Sequence, residues 1–174
     1  MPGPKRSVKS VTRSSFSQVP ITVLDTNVVL DWLVFRDPAS AGLHRALEAG
    51  CLRWIATTAM REELQHVLSR GSLNAWHPDL ASLWSAWNRH CEELAKPAPL
   101  AMALALRCSD SDDQKFIDLA VAAGARWLIS RDRAVLKLAA PLHAASVEVL
   151  TPVDWIGRQE HDRCTGSTDF GSDL

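Results

Sequence analysis

The sequence predicts an α/β fold, a three-layer α/β/α sandwich with a central, mostly parallel sheet of four to five strands. Short apolar runs rich in β-branched residues recur along the chain. They alternate with longer stretches in which apolar residues return every three or four positions, the signature of strands joined by helical crossovers. The clearest strand candidates are almost continuously apolar, as parallel strands covered on both faces must be.

The first strand is the run Ile21-Thr22-Val23-Leu24, which ends abruptly in Asp25-Thr26-Asn27. Val28, Val29, Leu30, Trp32, Leu33 and Val34 follow as a strongly apolar helix that Asp37-Pro38 breaks. A second helix over residues 39–49 places Leu43, Ala46 and Leu47 on one face and stops at Gly50. Residues 51–56 form the next strand. Thr57 or Thr58 then caps a helix to about Ser69. In that helix Met60, Leu64, Val67 and Leu68 centre an apolar stripe. Glu62 points away from the stripe, and Glu63 lies on its flank towards the sheet.

His77-Pro78-Asp79 opens another helix, along which Leu80, Leu83, Trp84, Trp87, Cys91 and Leu94 recur at spacings of three and four until Lys96-Pro97 closes it. A tryptophan stripe can stack on bases. Sharing its face with Leu and Cys, this one reads better as core. Residues 100–106 alternate large and small apolar side chains, a pattern that leaves strand and helix open. Beyond Cys108-Ser109-Asp110-Ser111-Asp112-Asp113, a helix over residues 114–123 buries Phe116, Ile117, Ala120 and Ala123, with Asp113 projecting from the same side. Gly124 stops it, a strand over residues 125–129 ends at Ser130-Arg131-Asp132, and a short helix runs to Leu138. A weak strand near residues 147–150 and a final turn carrying Trp155 and Ile156 complete the pattern.

At 174 residues the chain is long enough for one domain with a substantial core. It divides into a basic arm over residues 1–19, a domain over residues 20–158 and a polar tail over residues 159–174 that is expected to be disordered. The net charge is −1, yet Lys5, Arg6, Lys9 and Arg13 are the only charges before Asp25, so the remainder stands four units lower, at −5. Such an arm can touch nucleic acid or an acidic partner, or simply trail in solvent. The cysteines Cys51, Cys91, Cys108 and Cys164 form no Cys-x-x-Cys pair, which argues against a disulfide framework or a thiolate zinc site. His161 and Cys164 have no second pair beside them. No apolar run approaches the ~20 residues needed to span a bilayer, so a soluble, cytoplasmic protein is expected.

In an open parallel sheet, ligands bind in the crevice outside the carboxyl ends of the strands. Asp25 and Asp132 both follow strand ends, Asp113 heads an inward-facing helix, and Glu63 faces the sheet edge. The simpler explanation is capping: aspartate is a favoured helix N-cap worth ~1 kcal/mol, and Asp25, Asp113 and Asp132 each stand at a helix start. Capping does not account for Glu63 or for a shared edge of the sheet. Clustered carboxylates repel one another unless cations compensate, and an oxygen-only cluster suits Mg²⁺ or Mn²⁺.

Leu24-Asp25-Thr26-Asn27-Val28-Val29-Leu30, Glu63-Leu64-x-x-Val67-Leu68, Asp110-x-x-Asp113-x-x-Phe116-x-x-x-Ala120 and the run from Gly124 to Asp132 together resemble the PIN domain. The greatest similarity is to the bacterial branch described as toxins of toxin–antitoxin pairs, related to VapC-type ribonucleases, and it spans residues 21–156. The resemblance implies an endoribonuclease that depends on Mg²⁺ or Mn²⁺ and carries its catalytic acids at Asp25, Glu63, Asp113 and Asp132. Asp25 and Asp113 are expected to be the main metal ligands, Asp132 a direct or water-mediated ligand, and Glu63 a ligand reached through a bound group or a ligand to a second metal. Asn27 and Ser130 match the family's orienting polar positions. Asp112 competes with Asp113 for the third place, and helical phase favours Asp113. The implied partners are an RNA substrate, a small antitoxin protein and a homodimer mate, with no membrane. Lys115, Arg131 and Arg133 lie close to the acids in sequence, either to hold the RNA backbone or as solvated surface. The tryptophan-bearing helix and the basic arm fall outside the pattern.

Other readings of the same residues are a housekeeping RNA-processing nuclease on the PIN fold, a non-catalytic binding module, and a metal-dependent phosphatase of the haloacid dehalogenase type. The phosphatase motif requires a second acid two residues after the first, where this chain has Asn27. A receiver-like module would need a phosphoacceptor aspartate after a middle strand and a lysine after a late one, and neither is evident.

Overall fold

The computed structural model describes residues 19–98 and 106–165. Its strands are β1 (Ile21–Leu24), β2 (Arg53–Thr57), β3 (Cys91–Leu94), β4 (Trp127–Ile129) and β5 (Glu148–Leu150). They form one five-stranded sheet in the order β3-β2-β1-β4-β5, with every neighbouring pair parallel. Consecutive residues are buried in the inner strands, Val23 with Leu24, Ile55 with Ala56 and Leu128 with Ile129. Side chains alternate between faces, so both faces of the sheet are covered.

The helices among the described residues are α1 (Thr26–Leu33), α2 (Ala41–Glu48), α3 (Thr58–Ser69), α4 (Leu80–His90), α5 (Gln114–Ala122), α6 (Arg133–Leu136), α7 (Ala139–Ala144) and α8 (Pro152–Thr165). A 3₁₀ turn, Pro38–Ser40, leads into α2. Phe116, Ile117, Leu119 and Ala120 of α5 are buried where that helix packs on β1 and β4. Full burial of a side chain such as Phe116 or Ile117 stabilises by about 1.5–3 kcal/mol. Gly124 follows α5 at φ +59°, the left-handed conformation that ends a helix and favours glycine.

The expected three-layer architecture is observed. Several local expectations are not. The tryptophan-bearing helix stops at His90, and Cys91–Leu94 is the edge strand β3. Pairing with β2 decides this: Arg53 donates to Glu92 through Nε at 2.7 Å and Nη2 at 3.1 Å, while Thr58 and Arg61 donate to Glu93 at 2.8 and 3.3 Å. Two glutamates on an edge strand also discourage a further chain from adding to the sheet. Leu83 and Trp87 are core, as expected, and Trp87 packs edge-on against Trp54 with centroids 4.8 Å apart. Leu80 is 46% exposed. The alternating segment over residues 100–106 lies outside the described residues except for Leu106.

Two helical pieces were not expected at their observed length. The short helix to Leu138 is followed by α7, and the single turn after Pro152 is the start of α8, which continues to Thr165. Part of the segment read as a polar tail is therefore helical, while residues 166–174 and the basic arm up to residue 18 lie outside the described residues.

Candidate active site

The chain lays β2 and β3 on one side of β1, then crosses to build β4 and β5 on the other. The β1/β4 boundary is therefore the point where the strand order reverses, and the crevice outside the carboxyl ends of the strands at such a point is where ligands bind in open α/β sheets. In the register Leu24 pairs with Ile129, so Asp25 and Ser130 emerge side by side. The Asp25 N–H donates to the Ile129 carbonyl at 3.0 Å and continues the ladder one step beyond the strand.

Asp25 is 3% exposed. Its Oδ2 accepts from Asn27 Nδ2 at 2.8 Å and from the Ser130 hydroxyl at 2.5 Å. The same hydroxyl accepts from the Asp132 N–H at 2.9 Å, and Asn27 Oδ1 accepts from the Arg131 N–H at 3.2 Å. Two polar side chains thus tie the loop after β1 to the loop after β4. Burial pushes the Asp25 carboxyl above its ordinary range; the Ser130 and Asn27 hydrogen bonds oppose this, and the charge of Glu63 adds to it.

Capping accounts for one of the three aspartates. Asp132 Oδ1 accepts from the Ala134 N–H at 2.6 Å and caps α6. Asp25 and Asp113 occupy N-cap positions, but neither side chain closes a capping hydrogen bond. The Asn27 backbone N–H also faces Asp25 and opposes the upward push on its carboxyl. Asp113 Oδ2 is buried and has no hydrogen-bond partner among the described residues. Burial raises the Asp113 carboxyl to about 7, with further upward pushes from Asp25, Asp132 and Asp110 and an opposing pull from Lys115.

Glu63 reaches the crevice from α3, half-buried beside exposed Glu62 as helical phase predicts. Its Oε2 lies 2.9 Å from Lys115 Nζ, and Lys115 also donates to the Asp112 carbonyl. Asp112 itself is exposed, and its backbone N–H donates to Asp110. Asp113 is the inward member of the pair.

Electrostatics links the four acids into one group: Asp25 feels Glu63, and Asp113 feels Asp25 and Asp132. They remain spread out, with no three of their oxygens within 4.8 Å of one another among the described residues. The donors are all carboxylate oxygens, one of them buried without a partner, and their mutual repulsion is of the kind a cation relieves. This set fits a hard divalent ion.

Some groups near the crevice carried a weaker signal in the sequence. Asp31, an acid inside the apolar stretch of α1, is 8% exposed and accepts from Arg131 Nη1 at 2.7 Å. The same nitrogen donates to Asp37 at 3.0 Å. Arg131, one of the candidate RNA contacts, is therefore held by two carboxylates and anchors the loop between Ser130 and Asp132. Arg133 is exposed. Lys115 belongs to the acid group itself. Beside it opens a cavity of about 310 Å³ lined by Thr57, Lys96, Ser111, Gln114 and Lys115 among others. Among the described residues no helix is long and apolar enough to cross a membrane.

A chain of the VapBC2 complex from Rickettsia felis, solved bound to a DNA fragment from its promoter, aligns over 74% of this chain and 96% of its own, with a TM-score of 0.50 and 12% identity. The PIN domain of T. brucei RRP44 aligns over 86% and 83% of the two chains, with a TM-score of 0.39 and 14% identity. No curated protein sequence matches. The PIN domain family model matches residues 22–134, from the second residue of β1 to the second residue of α6. That match covers well over half of the sequence and includes Asp25, Glu63, Asp113 and Asp132, and the chain belongs to the PIN domain family.

Proposed function

We propose that this chain is an endoribonuclease dependent on Mg²⁺ or Mn²⁺, and that it acts as the toxin of a toxin–antitoxin pair. PIN domains are in general nucleases, which sets the class of reaction. The observation that carries the metal dependence is Asp113: a buried carboxylate oxygen without a partner, on a carboxyl that burial first, and the charges of Asp25 and Asp132 next, push up to about 7. A toxin role is supported by the fold shared with a chain of the VapBC2 complex and implies a small antitoxin partner.

In this reading Asp25 and Asp113 hold the ion, with Asp132 and Glu63 beside them. When bound, the ion supplies positive charge for the reacting phosphate and makes a water acidic enough to attack at neutral pH. Ser130 and Asn27 fix the orientation of Asp25 and oppose the upward push of burial on its carboxyl. Lys115 holds Glu63 and balances part of the crevice charge. Lys96 and Lys115, which line the adjoining cavity, are placed to take backbone phosphates of the RNA. Asn27 stands where an aspartyl phosphatase needs its second acid, so water is the attacking group.

The test is cleavage of structured and single-stranded RNA by the purified protein with Mg²⁺, Mn²⁺ or EDTA, beside Asp25→Asn and Asp113→Asn. Cleavage that survives EDTA or both substitutions would falsify the metal-nuclease reading. Growth arrest on expression, relieved by co-expression of a small neighbouring gene product, separates a toxin from a housekeeping nuclease.

A further inference from the structure

A second group of ligating side chains lies at the opposite end of the parallel strands. His44 and Glu48 stand one turn apart on α2, with His44 Nε2 3.2 Å from Glu48 Oε1. His90, the last residue of α4, brings its ring to 6.1 Å from that of His44. One ligand atom from each of the three residues lies within 4.8 Å of the other two, the one such trio among the described residues. Trp32, 8% exposed, forms the floor, with ring centroids 5.1 Å from His44 and 5.8 Å from His90.

The position separates this group from the acids. His90 directly precedes β3, whose first residue pairs with Trp54 near the start of β2, and Glu48 ends the helix that leads into β2. Both therefore sit at the amino ends of the parallel strands, whereas Asp25 and Asp132 follow the carboxyl ends. A surface ion pair between His44 and Glu48 needs only the spacing of α2. It leaves unexplained why a second imidazole from α4 turns to the same point over an indole.

We propose that His44, Glu48 and His90 form a site for one Zn²⁺ ion, which takes its fourth ligand from solvent and ties α2 to α4. Two imidazole nitrogens and one carboxylate oxygen are a donor set that zinc accepts and that Mg²⁺, with its demand for oxygen and water, does not favour. Around a tetrahedral ion with bonds of about 2.1 Å, ligand atoms stand ~3.4 Å apart. The His44–Glu48 spacing of 3.2 Å is already close to that separation, and the His90 ligand atom stands within 4.8 Å of both, so it has at most about 1.4 Å to close. The side chains of His44 and Glu48, 39% and 52% exposed, leave an entry path and an open coordination position.

The experiment titrates Zn²⁺ into the tag-free full chain in millimolar Mg²⁺, added to compete for the acid crevice, and follows heat of binding and thermal unfolding. Co²⁺ in place of Zn²⁺ reports coordination geometry through its visible absorption. The expected result is one Zn²⁺ per chain, a higher Tm and a tetrahedral Co²⁺ spectrum, with affinity at least tenfold weaker in His44→Ala, His90→Gln and the half-exposed Glu48→Gln. Asp113→Asn retains the Zn²⁺ site even where RNA cleavage is lost, so failure of the nuclease reading and failure of this one are distinguishable. Absence of binding, equal binding by all three cluster variants, or loss of binding in Asp113→Asn overturns the proposal. Far-UV circular dichroism establishes that each variant is folded.

Discussion

The Ser130 hydroxyl donates to Asp25 Oδ2 at 2.5 Å across the β1/β4 boundary, from a side chain with no solvent exposure. Through the same oxygen it also receives the Asp132 N–H. One hydroxyl therefore positions acids from both loops. Ser130→Ala is expected to lower divalent-ion affinity and cleavage by about 10–100-fold, the usual effect of losing a group that orients a ligand. Ser130→Thr keeps the hydroxyl and is expected to retain most activity. Cleavage rate measured against Mg²⁺ concentration separates these outcomes: a loss that saturating Mg²⁺ cannot reduce at all would leave Ser130 without a role in holding Asp25.

Asp113→Asn is expected to act in opposite directions on stability and activity. The substitution removes a crowded negative charge while preserving shape, so the metal-free protein becomes more stable. With a discount for partial exposure the gain is about 1 kcal/mol, or ~2–4 °C in Tm for a chain of this length. Cleavage falls more than about 100-fold, and the stabilisation that Mg²⁺ gives the parent protein disappears. Thermal unfolding with and without Mg²⁺ reads both effects. A lower Tm in the metal-free variant would mean that the carboxylate is structural.

The acids at strand ends were legible in the sequence because strand, acid and helix follow one another locally at Asp25 and Asp132, and helical phase alone sorted Glu63 from Glu62. Competition between capping and function was not legible, since N-cap position is local but the closing of a cap bond is not. Asp132 caps while Asp25 and Asp113 do not. Strand β3 was hidden for a similar reason. Cys91-Glu92-Glu93-Leu94 continues a helical spacing, and only the distant Arg53, Thr58 and Arg61 reveal it as a strand. The pairing of Lys115 with Glu63 joins helices far apart in sequence and left no periodic trace.

Acidity gives a further prediction. The Asp113 carboxyl titrates at about 7 in the folded chain against an ordinary value of 3.8. Between those values the folded chain holds a proton that the unfolded chain has released. Its contribution therefore favours folding below pH 4 relative to pH 7 and is lost as pH rises towards 7. The metal-free parent is expected to gain stability from this group as pH falls through that window, and Asp113→Asn removes that part of the slope. Divalent ions compete with the same proton, so their affinity rises with pH up to about 7 and levels off beyond it. Denaturant unfolding and Mg²⁺ titration across pH 5–8 measure the two trends, and an affinity independent of pH would exclude Asp113 as a ligand.

Asp31→Asn tests the anchor of the loop between Ser130 and Asp132. Arg131 retains Asp37 but loses its shorter partner, the half of the arrangement that is largely buried. A cost of about 1 kcal/mol and a Tm lower by ~2–4 °C are expected, with weaker Mg²⁺ binding because Asp132 shares the loop. An unchanged Mg²⁺ affinity beside a lowered Tm would confine Asp31 to stability.

Lys115 stands between two possible duties, balancing Glu63 and holding phosphate, and Lys115→Met distinguishes them. Its ammonium is 2.9 Å from Glu63 Oε2, over the ring of Phe116, and it pulls against the upward push on Asp113. Methionine fills a similar length without the charge. If balancing dominates, the metal-free protein loses ~1–3 °C in Tm, consistent with a partly exposed pair worth below about 1 kcal/mol. Added Mg²⁺ then restores more stability than it gives the parent, because the ion takes over the neutralisation. If phosphate binding dominates, Tm barely moves, KM for RNA rises several-fold, and the dependence of binding on salt becomes shallower by about one unit of slope. The position of Lys115 between Glu63 and the adjoining cavity predicts both effects together. A variant that changes neither Tm nor KM would place the lysine outside the chemistry altogether.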